Sequence, residues 1–300
     1  MSKKRRHKAA AEPPVPSAGT PPEADPPISK TAKRKLQKKR AKLTAMAERD
    51  LQALAKAEEK AARVAAALAS ASAPHPVPPP LAFAADEDDH CETAPEAYAH
   101  IAGILTLTAR ALGIEPQELR IYDPYFCNGA VVRHLAGLGF PIVLNRNEDF
   151  YAVLESGRLP PHDVIVTNPP YSGAHPERLL SFLAENGKPW LALMPNWVCA
   201  KEYYSRIVPA TATSNTLYLV PRKRYHYWTP KGRRADVAAG GAKAKTHGHT
   251  NASLGARTSP FISFWYGGQL PSEVIRQARP PDANCQLCRR TDELPTYVSP

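Results

Sequence analysis

A strand runs into a rigid turn in the sequence Asp163-Val164-Ile165-Val166-Thr167-Asn168-Pro169-Pro170-Tyr171. The four residues before Asn168 are all β-branched, and such a run is typical of a buried strand. The two prolines end the strand, because a proline has no N–H to donate to a neighbouring strand. Ligands of open α/β sheets bind at the carboxyl ends of the strands. We therefore expect the Asn168 amide and the Tyr171 ring to form a site for a flat group that carries an amine.

Helical and strand patterns alternate over residues 90–272, which predicts an α/β fold. We expect a mostly parallel sheet with a late antiparallel strand. The predicted strands are residues 120–122, 141–144, 164–167, 190–194, 216–220 and 261–266, and the predicted helices are 95–112, 130–138, 150–156, 176–185 and 198–207.

A second turn, Asp123-Pro124-Tyr125-Phe126-Cys127-Asn128-Gly129, follows a predicted strand and precedes a predicted helix. A glycine lets the backbone approach a ligand closely, and the N-terminus of a helix offers free N–H groups to it. This segment is therefore predicted to bind a ligand.

In this order, the two turns resemble the motifs of the class I S-adenosylmethionine-dependent methyltransferases of the N6-adenine group. Asn-Pro-Pro-Tyr is the catalytic signature of that family, and its cofactor motif runs Asp-Pro-x-x-Gly-x-Gly. Cys127 replaces the middle glycine of the cofactor motif here, whereas Asp123, Pro124 and Gly129 match it. The resemblance implies a Rossmann-like fold, S-adenosyl-L-methionine as cofactor and methyl transfer to an exocyclic amine.

The resemblance also implies the cofactor contacts of the first half of the domain. Asp123, Pro124, Tyr125 and Gly129 would form the cofactor turn. Upstream, Glu92-Thr93-Ala94-Pro95-Glu96 resembles the family segment that caps the amino-acid end of the cofactor. Thr93 is a predicted helix N-cap with Glu96 three residues on, and an ordinary capping box without a cofactor contact is the alternative.

Family members hold the cofactor ribose with an acidic residue after the second strand and contact the adenine with a later segment. Only 38 residues separate Gly129 from Asn168, so we infer that one βα unit is missing or collapsed. Glu148 and Asp149 are then candidates for ribose or adenine contact, and Phe150 for stacking. Asn145 directly follows the strand and is not acidic, so the choice among Asn145, Glu148 and Asp149 stays open.

The catalytic residues implied by the resemblance are Asn168, Pro169, Pro170 and Tyr171. Asn168 Oδ1 and the Pro169 carbonyl would accept the hydrogens of the amine, and Tyr171 would stack on the base. The methyl group would pass directly to the nitrogen, without a metal or a covalent intermediate, and positioned dipoles would supply most of the rate.

Two further segments are candidates for substrate contact. Asn196 and Trp197 follow the next strand, at the same edge of the sheet. Arg222–Trp228 interleaves cations with aromatic rings, as surfaces that bind single-stranded nucleic acids do, and a solvated strand end with rings in the core is the alternative. The predicted substrate residues are Asn196, Trp197, Arg224, Tyr225, Tyr227 and Trp228.

Positive charge is concentrated at the N-terminus. Residues 1–70 hold 17 Lys and Arg against 7 Asp and Glu, whereas the other 230 residues hold 22 against 21. Such a basic arm suits binding to a nucleic acid, with RNA favoured over DNA, or a nuclear address, and a solvated tail is the alternative.

We divide the chain into a disordered basic and Pro-rich tail (1–29), a basic helical arm (30–72), a Pro-rich and acidic linker (73–89), a methyltransferase domain (90–272) and a C-terminal tail (273–300).

Five cysteines, an odd number, indicate a reducing intracellular compartment, and the basic arm favours the nucleus or nucleolus. No run of eighteen apolar residues occurs, so we expect no membrane partner.

Cys285 and Cys288 form a single CxxC pair. A structural zinc site usually uses two such pairs, or one pair with two histidines, and His247 and His249 are candidates for those histidines. We therefore predict no metal site and two free thiols.

Two rival functions remain. Related enzymes with the same signature methylate a protein glutamine or the N2 of guanine, since each presents a planar NH₂ group. The second rival function is that of a catalytically silent nucleic-acid-binding module. The departures from the family motif at Cys127 and Asn145 motivate it, and a fold alone does not establish activity.

Overall fold

The computed structural model describes residues 29–72, 80–84, 91–208, 215–225, 227–228 and 262–298. Predictions for residues 1–28, for most of the linker 73–89, and for His247 and His249 lie outside these ranges. The described residues divide into two compact units, with the boundary between Lys56 and Ala57. The basic segment forms helix α1, Lys30–Ser72, in which no Gly or Pro interrupts residues of high helix propensity. None of the described helices is both long enough and apolar enough to span a membrane.

The elements of the second unit alternate between strands and helices. In chain order they are β1 (Glu92–Thr93), α2 (Pro95–Ala111), β2 (Ile121–Tyr122), α3 (Ala130–Gly137), β3 (Val143–Leu144), α4 (Phe150–Glu155), β4 (Val164–Thr167), α5 (His175–Asn186), β5 (Trp190–Pro195), α6 (Glu202–Ile207), β6 (Leu217–Pro221), β7 (Tyr227–Trp228), β8 (Ser263–Gly268), α7 (Ser272–Gln277) and β9 (Cys285–Cys288).

Seven of these strands form one mixed sheet in the order β3-β2-β4-β5-β8-β6-β9. The first four are parallel, whereas β8 runs antiparallel to both β5 and β6, and β9 runs antiparallel to β6. The predicted α/β class is confirmed. A separate two-stranded ribbon joins β1 to β7, with Thr93 opposite Tyr227.

Each face of the sheet packs against helices. Side chains alternate along a strand, so Val164 and Val166 enter a core with α2, α3 and α7, whereas Ile165 enters a second core with α4 and α5. Because both faces are covered, β4 and β5 are buried at every position and, apart from Thr167, apolar, as in other buried parallel strands.

Residues beyond 272 contribute to this sheet. β9 pairs with β6 along its whole length, with Leu287 opposite Leu219. Cys285 and Cys288 are both buried. The domain boundary that we placed at residue 272 therefore leaves out the edge strand, and the description of 273–300 as a tail is corrected accordingly.

The start of α2 also differs from its prediction. Helix α2 begins at Pro95 after Ala94, which makes no side-chain capping bond, and Thr93 lies in β1. The capping box of Thr93 and Glu96 is therefore wrong. Proline at the first helical position needs no N–H partner, so the helix starts without a polar cap.

Candidate active site

A cavity opens where the parallel strands β2, β3 and β4 end. It encloses about 1020 Å³ when the open solvent at its mouth is counted. The turns after the three strands supply most of its wall. All the predicted cofactor residues line it, and so do two of the four predicted catalytic residues: Thr93, Asp123, Pro124, Tyr125, Gly129, Glu148, Asp149, Phe150, Asn168 and Pro170.

Asp123, the residue directly after β2, is buried at the floor of this cavity. Its Oδ1 accepts hydrogen bonds from the Thr167 hydroxyl, at 2.6 Å, and from the Tyr125 backbone N–H, at 3.3 Å. Burial raises the pKa of Asp123 to about 8, although both hydrogen bonds oppose the shift. Since Thr167 precedes Asn168, this bond also couples the predicted cofactor turn to the predicted catalytic turn.

Gly129 adopts a left-handed conformation, with φ of 76°, and starts helix α3. A side chain is strained at such a φ, which explains a glycine at the end of this turn. The carboxylate of Glu92 accepts hydrogen bonds from the backbone N–H groups of Asn128, at 2.8 Å, and Ala130, at 3.4 Å. A negative group at a helix N-terminus is favourable, and Glu92 is a cavity residue that the sequence analysis did not select.

Three candidates for the ribose contact have different surroundings. The Asn145 amide donates to the carbonyls of Asp123, at 3.1 Å, and Tyr125, at 3.4 Å, so it braces the cofactor turn. Asn145 Oδ1 is buried without a hydrogen-bond partner among the described residues. Asp149 instead caps α4 by accepting from the Tyr151 N–H at 2.9 Å. Glu148 Oε1 lies 3.9 Å from the Arg146 guanidinium, and among the described residues no hydrogen-bond donor contacts the Glu148 carboxylate.

Aromatic rings form one wall of the cavity. The rings of Tyr125 and Phe150 meet edge to face at 5.1 Å. The Tyr125 and Tyr151 hydroxyls are 3.0 Å apart, and the Tyr151 hydroxyl lies 2.6 Å from His175 Nδ1. Tyr151 and His175 were not predicted as site residues, because only the packing of α4 against α5 brings them to the cavity.

The Asn-Pro-Pro-Tyr turn contributes Asn168 and Pro170 to the cavity, but not Pro169 or Tyr171. The Tyr171 hydroxyl donates to Asn168 Oδ1 at 2.7 Å and also lies 3.2 Å from the Leu193 carbonyl. Burial raises the pKa of Tyr171 well above its usual value. In this conformation the Tyr171 hydroxyl therefore orients the Asn168 amide, and the stacking role of its ring stays a prediction.

The predicted substrate residues Asn196, Trp197, Arg224, Tyr225 and Tyr227 are not among the described residues that line the cavity. Tyr225 and Tyr227 are buried, and their hydroxyls lie near His100 Nδ1, at 2.8 Å, and Ser263 Oγ, at 2.6 Å. These two tyrosines belong to the core, which corrects their assignment as stacking residues.

The other predicted substrate residues have varied settings. The Asn196 amide donates to the Val298 carbonyl at 3.1 Å, and Trp197 is half-buried below Lys201. Arg224 is exposed beside the exposed Arg222 and Lys223. The Trp228 backbone pairs with that of Glu92.

The cavity wall is acidic. Four carboxyl groups line it, and no Lys or Arg among the described residues does. A cationic ligand would therefore be favoured there over an anionic one. The carboxyl groups belong to Glu92, Asp123, Glu148 and Asp149.

Comparison with known proteins adds no assignment to this geometry: no protein-family model and no curated protein sequence matches this chain.

Proposed function

We propose that this protein is an S-adenosylmethionine-dependent N-methyltransferase with a Rossmann-like fold, acting on an exocyclic amine, N6 of adenine in a nucleic acid above all. The observation that carries the proposal is that Asp123 and Asn168 line one acidic cavity at the carboxyl ends of adjacent strands. The four parallel strands followed by antiparallel ones support the fold assignment. Between Gly129 and β4 the structure has only α3, β3 and α4, in keeping with a missing βα unit.

The cavity residues fit the proposed cofactor. S-adenosylmethionine carries a sulfonium and an ammonium group against one carboxylate, and the cavity wall carries four carboxyl groups. The buried Asn145 Oδ1, which has no partner among the described residues, could accept a hydroxyl or amine hydrogen. When bound, the cofactor supplies an electrophilic methyl group on its sulfonium.

Asn168 would polarise and orient the amine that receives the methyl group. Its Oδ1 already accepts the Tyr171 hydroxyl, and an amide oxygen has two lone pairs, so one acceptor site remains for an amine hydrogen. Accepting that hydrogen shifts electron density towards the attacking nitrogen. The proton that the nitrogen loses after methylation passes to water. Because Tyr171 holds the amide in place beforehand, little reorganisation is needed during the reaction.

A nucleic-acid substrate is supported by charge outside the cavity. The α1 helix carries exposed cations at Arg34, Lys35 and Lys38–Arg40, and Arg222, Lys223 and Arg224 are exposed after β6. Phosphate contacts by such side chains supply most of the affinity of sequence-independent binding. A nuclear or nucleolar location is part of the same proposal.

The test combines cofactor binding with methyl transfer, both with the full chain. Isothermal titration of S-adenosylmethionine should show micromolar binding that survives Asn168→Ala and fails in Asp123→Ala. Methyl-labelled cofactor, incubated with total RNA or DNA, should then yield N6-methyladenine after hydrolysis to nucleosides, and Asn168→Ala should lower the rate at least ~100-fold. RNA binding without any cofactor binding would instead establish a silent binding module. Label in guanine or in protein glutamine would change the substrate and keep the chemistry.

A further inference from the structure

We propose that His100, Asp282 and Cys285, together with Glu96, form a zinc site that fastens the C-terminal edge strand to helix α2. The proposal is independent of the methyltransferase function, because none of these residues lines the cavity.

The CxxC spacing alone does not create this site. Cys285 and Cys288 lie three residues apart in β9, and side chains at that separation point to opposite faces of a strand. Accordingly, Cys285 packs in the core with α2 and α7, and Cys288 in the core on the other face of the sheet. The two thiols cannot bind one ion, so any metal at Cys285 needs other ligands.

Those other ligands come from α2 and from the loop before β9. The ligand atoms of His100, Asp282 and Cys285 all lie within 4.8 Å of one another. Cys285 Sγ is 3.4 Å from His100 Nδ1. His100 Nε2 is 3.8 Å from a Glu96 oxygen and 4.0 Å from an Asp282 oxygen.

The distances to Nε2 are longer than hydrogen bonds. Bonds from zinc to nitrogen and oxygen are about 2.0–2.2 Å, so two such ligands of a tetrahedral ion lie about 3.3–3.6 Å apart. The carboxylates would therefore move inward by about 0.5 Å to bind the same ion as Nε2. His100 is 7% exposed and Cys285 6%, whereas the Glu96 and Asp282 side chains are 61% and 46% exposed. Nitrogen and sulfur ligands therefore form the buried floor, and the carboxylates lie on the solvent side, through which an ion can enter.

The second ring nitrogen of His100 also has a suitable partner. The Tyr225 hydroxyl lies 2.8 Å from Nδ1 and can accept its hydrogen. A ligating histidine nearly always donates its other N–H in this way, which fixes the tautomer and leaves Nε2 free for the metal. Binding would release the Cys285 thiol proton to solvent, because the thiolate is the ligand.

The experiment uses the full chain, purified under reducing conditions, stripped of metal and titrated with Co²⁺ as a spectroscopic substitute for zinc. We expect about one equivalent of Co²⁺ to bind, with thiolate-to-cobalt charge-transfer absorption, and added Zn²⁺ to displace it. Cys288→Ser is the matched control, since it removes a buried thiol from the same strand on the opposite face, and it should retain the absorption. Cys285→Ser should abolish it.

Asp282→Asn provides a variant whose folding is not in question, because the side chain is half-exposed. It should weaken Co²⁺ binding at least ~tenfold, as expected for loss of a ligand. Absence of the charge-transfer band in the wild type, an undiminished band in Cys285→Ser, or unchanged affinity in Asp282→Asn would each overturn the proposal. If Cys285→Ser fails to fold, Asp282→Asn decides.

Discussion

Asp123 is the residue whose charge depends most on what occupies the cavity. It is buried, and burial raises its pKa to about 8. A cation placed beside it favours the carboxylate and would displace its proton. The same carboxyl group thus links folding stability to pH and, under the proposed function, links cofactor binding to proton release.

Asp123→Asn should remove a pH dependence of folding stability. An unfolded aspartate has a pKa of about 3.9, so the folded protein binds the extra proton between about pH 4 and about pH 8. The contribution of Asp123 to the free energy of unfolding is complete below about pH 4 and falls as pH rises towards 8, by up to about 1.4 kcal/mol per pH unit. Urea denaturation across this range should show a steeper decline in the wild type than in Asp123→Asn. Parallel curves would contradict the assignment.

Tyr171→Phe tests the hydroxyl that orients Asn168. Loss of its hydrogen bonds to Asn168 Oδ1 and the Leu193 carbonyl should lower the free energy of unfolding by about 1 kcal/mol. Under the proposed function, kcat should fall ~tenfold while the cofactor Kd stays unchanged, since the amide is less well oriented. A kcat equal to that of the wild type would show that the Tyr171 hydroxyl is not needed to orient Asn168, and would leave stacking by its ring as the alternative.

Two contacts between elements contribute to the structure, one in the centre of the sheet and one at the cavity. Strands β5 and β8 are paired at the centre of the mixed sheet, with Gly268 opposite Trp190. Residues 80–84 lie against the turn after β3 through the side chain of Asn147, and Phe83 and Ala84 of this segment line the cavity. One position in each contact, Gly268 and Asn147, can be tested by a single substitution.

Gly268→Ala should be destabilising. A Cβ at this position would lie 2.2 Å from Trp190 Cζ2, and Trp190 is buried, so the ring has no space into which to move. We expect a loss of about 1–3 kcal/mol in the free energy of unfolding by urea denaturation. Gly103→Ala in α2 is the control, because a Cβ there has no neighbour within 4 Å and alanine favours a helix by about 0.5–1 kcal/mol. A neutral Gly268→Ala would show that Trp190 can reposition.

Asn147→Ala should weaken the binding of a cavity ligand. Asn147 Oδ1 accepts from the Ala82 N–H at 3.0 Å, and its Nδ2 donates to the Pro80 carbonyl at 2.8 Å. Losing both bonds frees Phe83 from the cavity wall, and we expect ~3–10-fold weaker cofactor binding by isothermal titration. Phe83→Ala should act through the same contact, so the double variant should be less affected than the product of the two single effects. Independent effects would show that Asn147 does not hold this segment.

At the scale of the whole molecule, the cavity and the basic segment carry opposite charge. The cavity wall is acidic, whereas residues 1–70 carry a net charge of +10. This division suits a reaction in which a cationic cofactor enters the cavity and a polyanion is held by side chains outside it. Under the proposed function, affinity for the nucleic acid and affinity for the cofactor should therefore be separable.

Removing positive charge from α1 should change RNA binding alone. With Lys38, Lys39 and Arg40 replaced by Gln, cofactor affinity should stay within about twofold, because these residues do not line the cavity. RNA affinity should fall, and the slope of its logarithm against the logarithm of salt concentration should decrease by about 0.7 for each phosphate that these side chains no longer neutralise. Fluorescence anisotropy across a salt series measures both. An unchanged slope would assign α1 a role other than phosphate binding.

The element pattern followed from the sequence because it depends on local properties. The β-branched run Val164–Thr167 and the prolines after it predicted both ends of β4 to the residue. The spacing of Asp123 and Asn168 likewise predicted which residues would line a cavity, since both directly follow parallel strands.

Other features depended on contacts between distant parts of the chain. A tyrosine such as Tyr225 can either stack on a base or lie in the core. Only the packing of Tyr225 beside His100, 125 residues earlier, shows that it belongs to the core. β9 has no clear strand pattern, and its pairing with β6 made it the edge of the sheet. Proximity of His100 to Cys285, 185 residues later, could not be predicted either. By itself the sequence determined every strand of the mixed sheet except β9, because backbone preference and side-chain alternation act over a few residues. Tertiary structure alone decided which polar side chains meet, because that depends on strand order and on the face each helix buries.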